Sequence, residues 1–306
     1  MWMSVSSLAL VLGASDPSGG AALEATFIGR ARAIAADEAC DLFDENQRTA
    51  LQSGLSQARR DLRRAGYDGG DIDAALARVR TDRQLADCSS EGVTALAEDY
   101  RSAYAGYARQ PSLSFEGPRH RWTADRTEYD FVHWPLVQKI DGGHFGRAVL
   151  SGPRDETRQV EPAVVLEGQS DAVSAMLVLR DTAKRAEVYD RTLGGLYALP
   201  DGEELARYSA PSHAERRIFA SGRIDPAQAR VLNAGERGND LPEAYGFRFP
   251  ESALTALAGL EPEEAAAIEL VDNRGRVIDR VWVEAGQLQA ALDFASVPYE
   301  SITASR

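Results

Sequence analysis

Residues 21–110 carry apolar side chains at helical spacing in four successive stretches separated by short polar connections. Asp44 and Gln47 form a capping-box pattern at the start of the second stretch, and Gly66 follows its end. The apolar positions of that stretch are Leu51, Leu55, Ala58 and Leu62. Because short connections favour neighbouring helices of opposite direction, the pattern predicts an antiparallel bundle of four helices.

From Gln110 onward the pattern changes to short segments rich in Val, Phe, Trp and Leu, which predict strands. These predicted strands cover 113–116, 129–140, 163–167, 174–180 and a hairpin, 268–271 with 276–283. Helices are predicted over 216–220 from the capping pattern Ser212 to Glu215, after Asp225, over 250–258 and over 286–295. Residues 142–161 hold glycines and charges and predict a long turn.

The order of these elements predicts the fold class and the domains. Helices come first and strands do not alternate strictly with helices, which favours an α+β fold over a doubly wound sheet. We expect an N-terminal antiparallel helical bundle followed by a mixed, mainly antiparallel sheet domain with flanking helices. The expected divisions are a signal segment at 1–20, a helical domain at 21–110 and an α+β domain at 111–306.

The first 20 residues favour export. An apolar run at 5–12 is followed by small residues suited to signal cleavage, and the run is too short to span a bilayer, which needs about 20 apolar residues. No Lys or Arg precedes Arg30, so the usual cationic leading region is missing. Two alternatives therefore stay open: a mis-assigned start codon, or a buried helix or strand.

Cys40 and Cys88 are the only two cysteines, and they do not form a metal-type C-x-x-C pattern. Cys40 ends the first predicted helix and Cys88 precedes the fourth, so we expect a disulfide that pins these helices, with α-carbons about 4.4–6.8 Å apart. The alternative is a pair of unrelated buried thiols.

Charge excludes several partners. The net charge of −13 argues against non-specific binding to nucleic acid or to an anionic membrane, since both need a basic surface. No glycine-rich phosphate-binding pattern is present, and no cofactor is expected.

Ser170 and His213 are the candidate catalytic residues. The segment 168–172 follows an apolar strand and is a loosened form of the nucleophile elbow, with a downstream acid at Asp190 or Asp201 before His213. Hydrolysis would require Ser170 and His213 within hydrogen-bond reach. Because 173–179 has a strand pattern where the elbow needs a helix, we interpret the segment as a hairpin.

His133, His144 and Asp125 are the candidate metal ligands, because imidazole and carboxylate groups from neighbouring strands can bind a divalent ion. Their spacing matches no common ligand pattern, and isolated histidines are the alternative. Trp122 is a candidate binding residue, provided that it is exposed.

These features predict a periplasmic or secreted, non-catalytic protein that binds another protein or a cell-envelope component. The alternative function is a hydrolase that uses Ser170 and His213 or a metal site near His133 and His144.

Overall fold

The computed structural model describes residues 17–129, 131–150, 159–192, 199 and 204–300. Residues 1–16, which carry most of the predicted signal segment, lie outside this range, as does Asp201. The chain divides into two compact units, Met1–Arg101 and Ser102–Arg306.

The first unit is helical, as predicted. Its helices are α1 (Pro17–Cys40), α2 (Glu45–Arg64), α3 (Gly69–Arg80) and the start of α4 (Glu91–Ala108), with a short 3₁₀ turn at Arg83–Ala86. The capping box is confirmed: Asp44 accepts a hydrogen bond from Gln47 N, and Gln47 Oε1 accepts one from Asp44 N. The N-cap of α3 is Asp68, whose side chain accepts a hydrogen bond from Gly70 N (2.7 Å).

Large side chains from the predicted apolar stripes fill three small clusters in this unit. Phe27, Leu62 and Ile72 are buried together in one of them. The end of α1 is tied to α2 by Asp37, whose carboxylate accepts hydrogen bonds from Leu42 N, Phe43 N and Arg48 Nε at 2.7–2.9 Å. Burial alone would raise the pKa of Asp37, but the hydrogen bonds from Arg48 and the backbone outweigh it and lower the pKa.

Cys40 and Cys88 form a disulfide whose α-carbons lie 5.5 Å apart, within the expected range. The bond joins the last residue of α1 to the turn before α4, as predicted from the order of the helices. It closes a loop with a sequence separation of 48. In the chain-entropy model a loop of this length contributes about 4 kcal/mol to stability.

The second unit contains two antiparallel sheets. The seven-stranded sheet has the order β1-β2-β3-β4-β5-β9-β8, and the four-stranded sheet has the order β11-β10-β6-β7. The strands are β1 (Ser112–Glu116), β2 (Arg121–Asp125), β3 (His133–Ile140), β4 (Gly143–Leu150), β5 (Gln159–Glu167), β6 (Ser174–Arg180), β7 (Glu215–Phe219), β8 (Gly222–Arg223), β9 (Ala244–Arg248), β10 (Ala265–Val271) and β11 (Val277–Glu284). The helices are α5 (Pro226–Ala234), α6 (Ser252–Ala258) and α7 (Leu288–Ser296). This arrangement confirms the α+β fold class.

One large core cluster joins both sheets with α6 and α7. Two layers of inward side chains meet in it, represented by Phe145 and Phe247 of the first sheet and Leu177 and Ile268 of the second. A smaller cluster packs α5 against the opposite face of the seven-stranded sheet. The four-stranded sheet therefore has one face in the main core.

Arg126 fixes the ends of two helices. Its guanidinium donates to Tyr107 O (2.8 Å) and Gln110 O (2.6 Å) at the end of α4 and to Val297 O (3.0 Å) at the end of α7. It also lies 3.8 Å from the ring centroid of Phe294. A cation at two carbonyl-rich helix ends is favoured by the helix dipole.

Three sequence predictions of local structure are wrong. Residues 143–150 form β4, not a long turn, because Gly143 and Gly146 allow neighbouring strands to approach too closely for a Cβ atom. The segment around Ser170 is not a hairpin, since β5 and β6 belong to different sheets. Residues 215–219 form β7 and not a helix.

Candidate binding site

A buried ion pair closes one end of the four-stranded sheet. Arg180, the last residue of β6, donates from Nε and Nη2 to the two carboxylate oxygens of Glu264 at 2.6 and 2.7 Å. Their side chains are only 3% and 1% exposed. Arg180 Nη1 also donates to Arg185 O and Ala186 O, and the hydrogen bond to Glu264 raises the pKa of Arg180. With both charges fully hydrogen-bonded, this pair anchors the loop after β6.

A cleft of about 510 Å³ opens beside this pair. The cleft is open to solvent, and its volume lies in the range of small-ligand sites. Arg216 of β7 lines one side, and α6 and its flanking residues line the other. The lining residues are Arg180, Thr182, Arg216, Glu251, Ser252, Thr255, Ala256 and Gly259.

The cleft carries a positive charge at its β7 side. Arg216 is exposed and forms no ion pair with the part of the chain that the structure describes. Among the described residues that line the cleft, Glu251 is the one acid, and it is hydrogen-bonded to Arg147. A carboxylate or another anionic group that enters the cleft would therefore meet Arg216 without competition from Glu251.

The strand β7 is an edge strand, and its outward hydrogen-bonding groups can be assigned. Ala220 N donates to Ala175 O (2.9 Å), and Asp181 N donates to Ala214 O (2.8 Å). Because hydrogen-bonded pairs alternate in an antiparallel ladder, Arg217 and Phe219 direct their backbone N–H and C=O groups away from β6. Within the described ranges no strand pairs with this outer side of β7.

Phe219 adds an apolar surface at the same edge. Its side chain is 64% exposed and stands opposite Met176 on the face of the sheet turned away from the main core. Val178 and Trp282 lie on the same face. An exposed phenylalanine on an open edge is typical of an interaction surface.

The predicted catalytic residues lie at opposite ends of β6. Ser170 precedes β6, and its Oγ accepts a hydrogen bond from Ala172 N (3.1 Å). His213 precedes Glu215, which pairs with Arg180 at the far end of the strand. A seven-residue strand spans about 20 Å. That is far beyond the hydrogen-bond reach a serine–histidine pair needs.

The predicted metal ligands are only partly brought together. Asp125 accepts a hydrogen bond from Tyr129 OH (3.1 Å), and the Tyr129 ring lies 4.8 Å from that of His133, so these two candidates flank one tyrosine. His133 of β3 pairs with Val149 of β4. Val149 lies five positions from His144 on the same strand, which corresponds to about 17 Å. Burial and then Lys139 lower the pKa of His144. Among the described residues no three His, Cys, Asp or Glu side chains converge on a metal position.

Trp122 does not meet the condition set for a binding residue. Its side chain is 0% exposed in the main core, and Nε1 donates to Glu284 O and Ala285 O at 3.1 Å. The alternation of β2 turns Trp122 and Ala124 inward, and the hydrogen bonds satisfy the indole N–H there. Trp122 therefore belongs to the core, and the condition on which it was a candidate binding residue is not met.

Sequence reasoning missed the β7 edge and Arg216. The capping pattern at Ser212 assigned 216–220 to a helix, and the residues 215–219, Glu-Arg-Arg-Ile-Phe, show no apolar–polar alternation that would predict a strand.

Within the described ranges of the chain, no helix is long and apolar enough to cross a membrane.

Comparison with known proteins gives limited similarity. No family model matches the chain, and no solved structure matches it. Two curated proteins are similar over 170 residues at 28% identity: the biosynthetic L-threonine dehydratases IlvA of Salmonella typhimurium and of Escherichia coli. The matched region covers 52% of this chain and 32% of either dehydratase, so the chain spans about a third of the length of the relatives it matches.

Proposed function

We propose that the chain is an exported, non-catalytic protein that binds another protein or a cell-envelope component through its sheet unit. The β7 edge carries the binding proposal, because an open edge with an exposed Phe219 and an adjacent cleft offers backbone, apolar and charged contacts together. These are the contacts that protein-binding surfaces combine.

The Cys40–Cys88 disulfide supports the export proposal. Disulfides persist in the periplasm and outside the cell, and they are rare where thioredoxin and glutathione keep thiols reduced. The acidic net charge of −13 suits a protein that remains in solution in such a compartment.

Fractionation with thiol alkylation tests the export proposal. The full chain, expressed with a C-terminal tag in a Gram-negative host, is expected in the periplasm or medium with both cysteines protected from alkylation. A Cys40→Ser, Cys88→Ser variant serves as the control for background labelling. Recovery in the cytoplasm with two reactive thiols would contradict export.

A hydrolase panel tests the non-catalytic part. Esters, peptides and glycosides are expected to remain intact, because Ser170 and His213 lie at opposite ends of β6, a strand about 20 Å long, so His213 cannot act as the base for Ser170. Turnover that Ser170→Ala abolishes would contradict the proposal. Metal-dependent turnover that His133→Ala abolishes would favour the metal version of the hydrolase instead.

The similarity to two L-threonine dehydratases supports a second candidate, in which the chain binds or acts on L-threonine. A ligand present at 100 times its dissociation constant stabilises a protein by about 2.7 kcal/mol. Thermal denaturation with L-threonine, and with D-threonine as the matched control, measures this. Equal melting temperatures with both enantiomers and with buffer would exclude the second candidate.

A further inference from the structure

We infer that β7 binds an extended partner segment as an added antiparallel strand, and that this segment carries two apolar residues followed by acidic residues. This inference rests on the proposed binding function and specifies the site and the partner chemistry. Strand addition uses the main chain for affinity and alternate side chains for specificity.

The backbone geometry supplies the docking positions. Arg217 and Phe219 turn their N–H and C=O groups outward, as the hydrogen bonds of Ala214 and Ala220 to the β6 side require. On the same side, Glu215 O accepts a hydrogen bond from Lys184 Nζ (3.0 Å), which limits the open edge at one end. Two residues separated by one position offer up to four main-chain hydrogen bonds to a partner strand.

The side chains of β7 set the partner's sequence. Arg216 and Ile218 face the core side of the sheet, where Arg216 lines the cleft, and Arg217 and Phe219 face the other side. A partner residue opposite Arg216 would occupy a non-hydrogen-bonded pair, in which side chains approach most closely. An antiparallel partner therefore presents apolar residues opposite Phe219 and Ile218 first and acidic residues opposite Arg217 and Arg216 next.

Charge disfavours a second copy of this chain that pairs about Arg217. Two β7 strands paired about Arg217 would bring Arg217 opposite Arg217, with Arg216 beside the same contact, and like charges directly opposite each other destabilise a strand pair. Arg217 already donates to Glu215 Oε2 (2.9 Å) on its own strand, so the exposed Arg216 is the charge that selects a partner carrying a carboxylate.

A displayed library of random dodecapeptides, selected on the full oxidised chain, tests the inference. The enriched peptides are expected to share two apolar residues followed by Asp or Glu. The affinity of an enriched peptide is then measured by fluorescence anisotropy for the wild type and for the variants below.

Arg217→Pro removes an outward N–H without removing a ladder hydrogen bond, a substitution that edge strands tolerate. It is expected to weaken peptide binding about tenfold or more, since a main-chain hydrogen bond is lost and the added strand is obstructed. Ser114→Pro is the matched control, because Ser114 lies on β1, the edge strand of the other sheet. Arg126 N donates to Pro111 O, so by the alternation of the ladder the N–H of Ser114 also points outward. Equal melting temperatures establish that both variants are folded.

Arg216→Glu is expected to abolish the binding of acidic peptides. A peptide in which Lys replaces the acidic residues is expected to bind the Arg216→Glu variant. Arg109→Glu, at an exposed position outside the cleft, is the control for net charge. This exchange identifies a direct charge contact, which a general loss of stability would not reproduce.

Three outcomes would overturn the inference: no enriched motif, binding unaffected by Arg217→Pro, or dimerisation that Arg217→Pro abolishes. If one of these outcomes is found and the exported chain also cross-links to an envelope protein through another surface, the strand-addition site is refuted and the proposed function stands. Recovery of the chain in the cytoplasm with free thiols would instead refute the export on which the proposed function depends.

Discussion

The disulfide allows a quantitative test of how the helical unit is stabilised. Replacing both cysteines, Cys40→Ser and Cys88→Ser, opens a loop with a sequence separation of 48. Cys88 is exposed and Cys40 half-buried, so the serines leave no large cavity and the change acts mainly on the unfolded chain.

The expected loss is about 4 kcal/mol, from the loop-closure entropy of a loop of this size. This is a large part of the stability of a domain, for which 5–15 kcal/mol is usual. With a guanidinium slope of about 2–6 kcal/mol per molar, the unfolding midpoint should fall by about 0.7–2 M.

Two optical signals separate the units in this assay. Circular dichroism at 222 nm reports mainly the helices of the first unit, whereas three of the four tryptophans, Trp122, Trp134 and Trp282, lie in the second. The helical transition is expected to shift in the variant and in the reduced wild type by the same amount. The tryptophan fluorescence transition is expected to stay in place.

A shift of less than about 1 kcal/mol would refute the chain-entropy reasoning. It would mean that the reduced, unfolded chain already holds the ends of this loop together. A different shift for the reduced wild type and for the serine variant would mean that the side chains at these positions contribute stability of their own.

Three further predictions concern single residues. Arg126→Lys should cost about 2–3 kcal/mol, measured by tryptophan fluorescence during denaturation, because a lysine cannot hold the ends of α4 and α7 with one planar donor group; an unchanged midpoint would contradict this. Gly146→Ala should prevent folding or cost more than about 4 kcal/mol, since its Cβ would overlap Leu136 O, whereas Gly106→Ala, in open space on α4, should stabilise by about 0.5–1 kcal/mol. Asp37→Asn should destabilise at pH 7, and because the folded pKa of Asp37 is lowered, the difference from wild type should begin to shrink as the pH falls below the unfolded pKa of about 4 and be lost as the pH falls through the folded pKa; a difference that does not shrink between pH 5 and pH 2 would contradict the assigned hydrogen bonds.

The helical unit could be predicted from sequence because its signals are local. The capping box at Asp44, the positive φ of Gly66 and the apolar stripe of α2 act over a few residues, and each favours the same structure. The hairpin of β10 and β11 was predictable for the same reason. Asp272 accepts hydrogen bonds from Arg274 N and Arg276 N, and Gly275 takes the left-handed conformation that the turn requires.

The strand β4 could not be predicted because its glycines have a role that depends on distant residues. Gly143 and Gly146 resemble turn residues in the sequence, yet they lie where a Cβ would overlap Val165 O and Leu136 O of the neighbouring strands. Only the pairing with β3 and β5 distinguishes a close approach of two backbones from a turn. The arrangement of Trp122 in the core depends in the same way on the distant carbonyl groups of Glu284 and Ala285.

At the candidate site, the local sequence favours a helix over 216–220, whereas long-range pairing favours the strand β7. The capping pattern at Ser212 is worth about 1 kcal/mol to a helix. Against it stand five paired positions with β6 and the burial of Ile218, which alone stabilises the strand by about 1.5–3 kcal/mol. The strand is the more stable structure because β6, which pairs with β10 on one side, pairs with β7 on the other. The strand β7 then forms the edge of the sheet. The same long-range pairing sets Arg216 across the cleft from α6, and no local pattern around 215–219 specifies that arrangement.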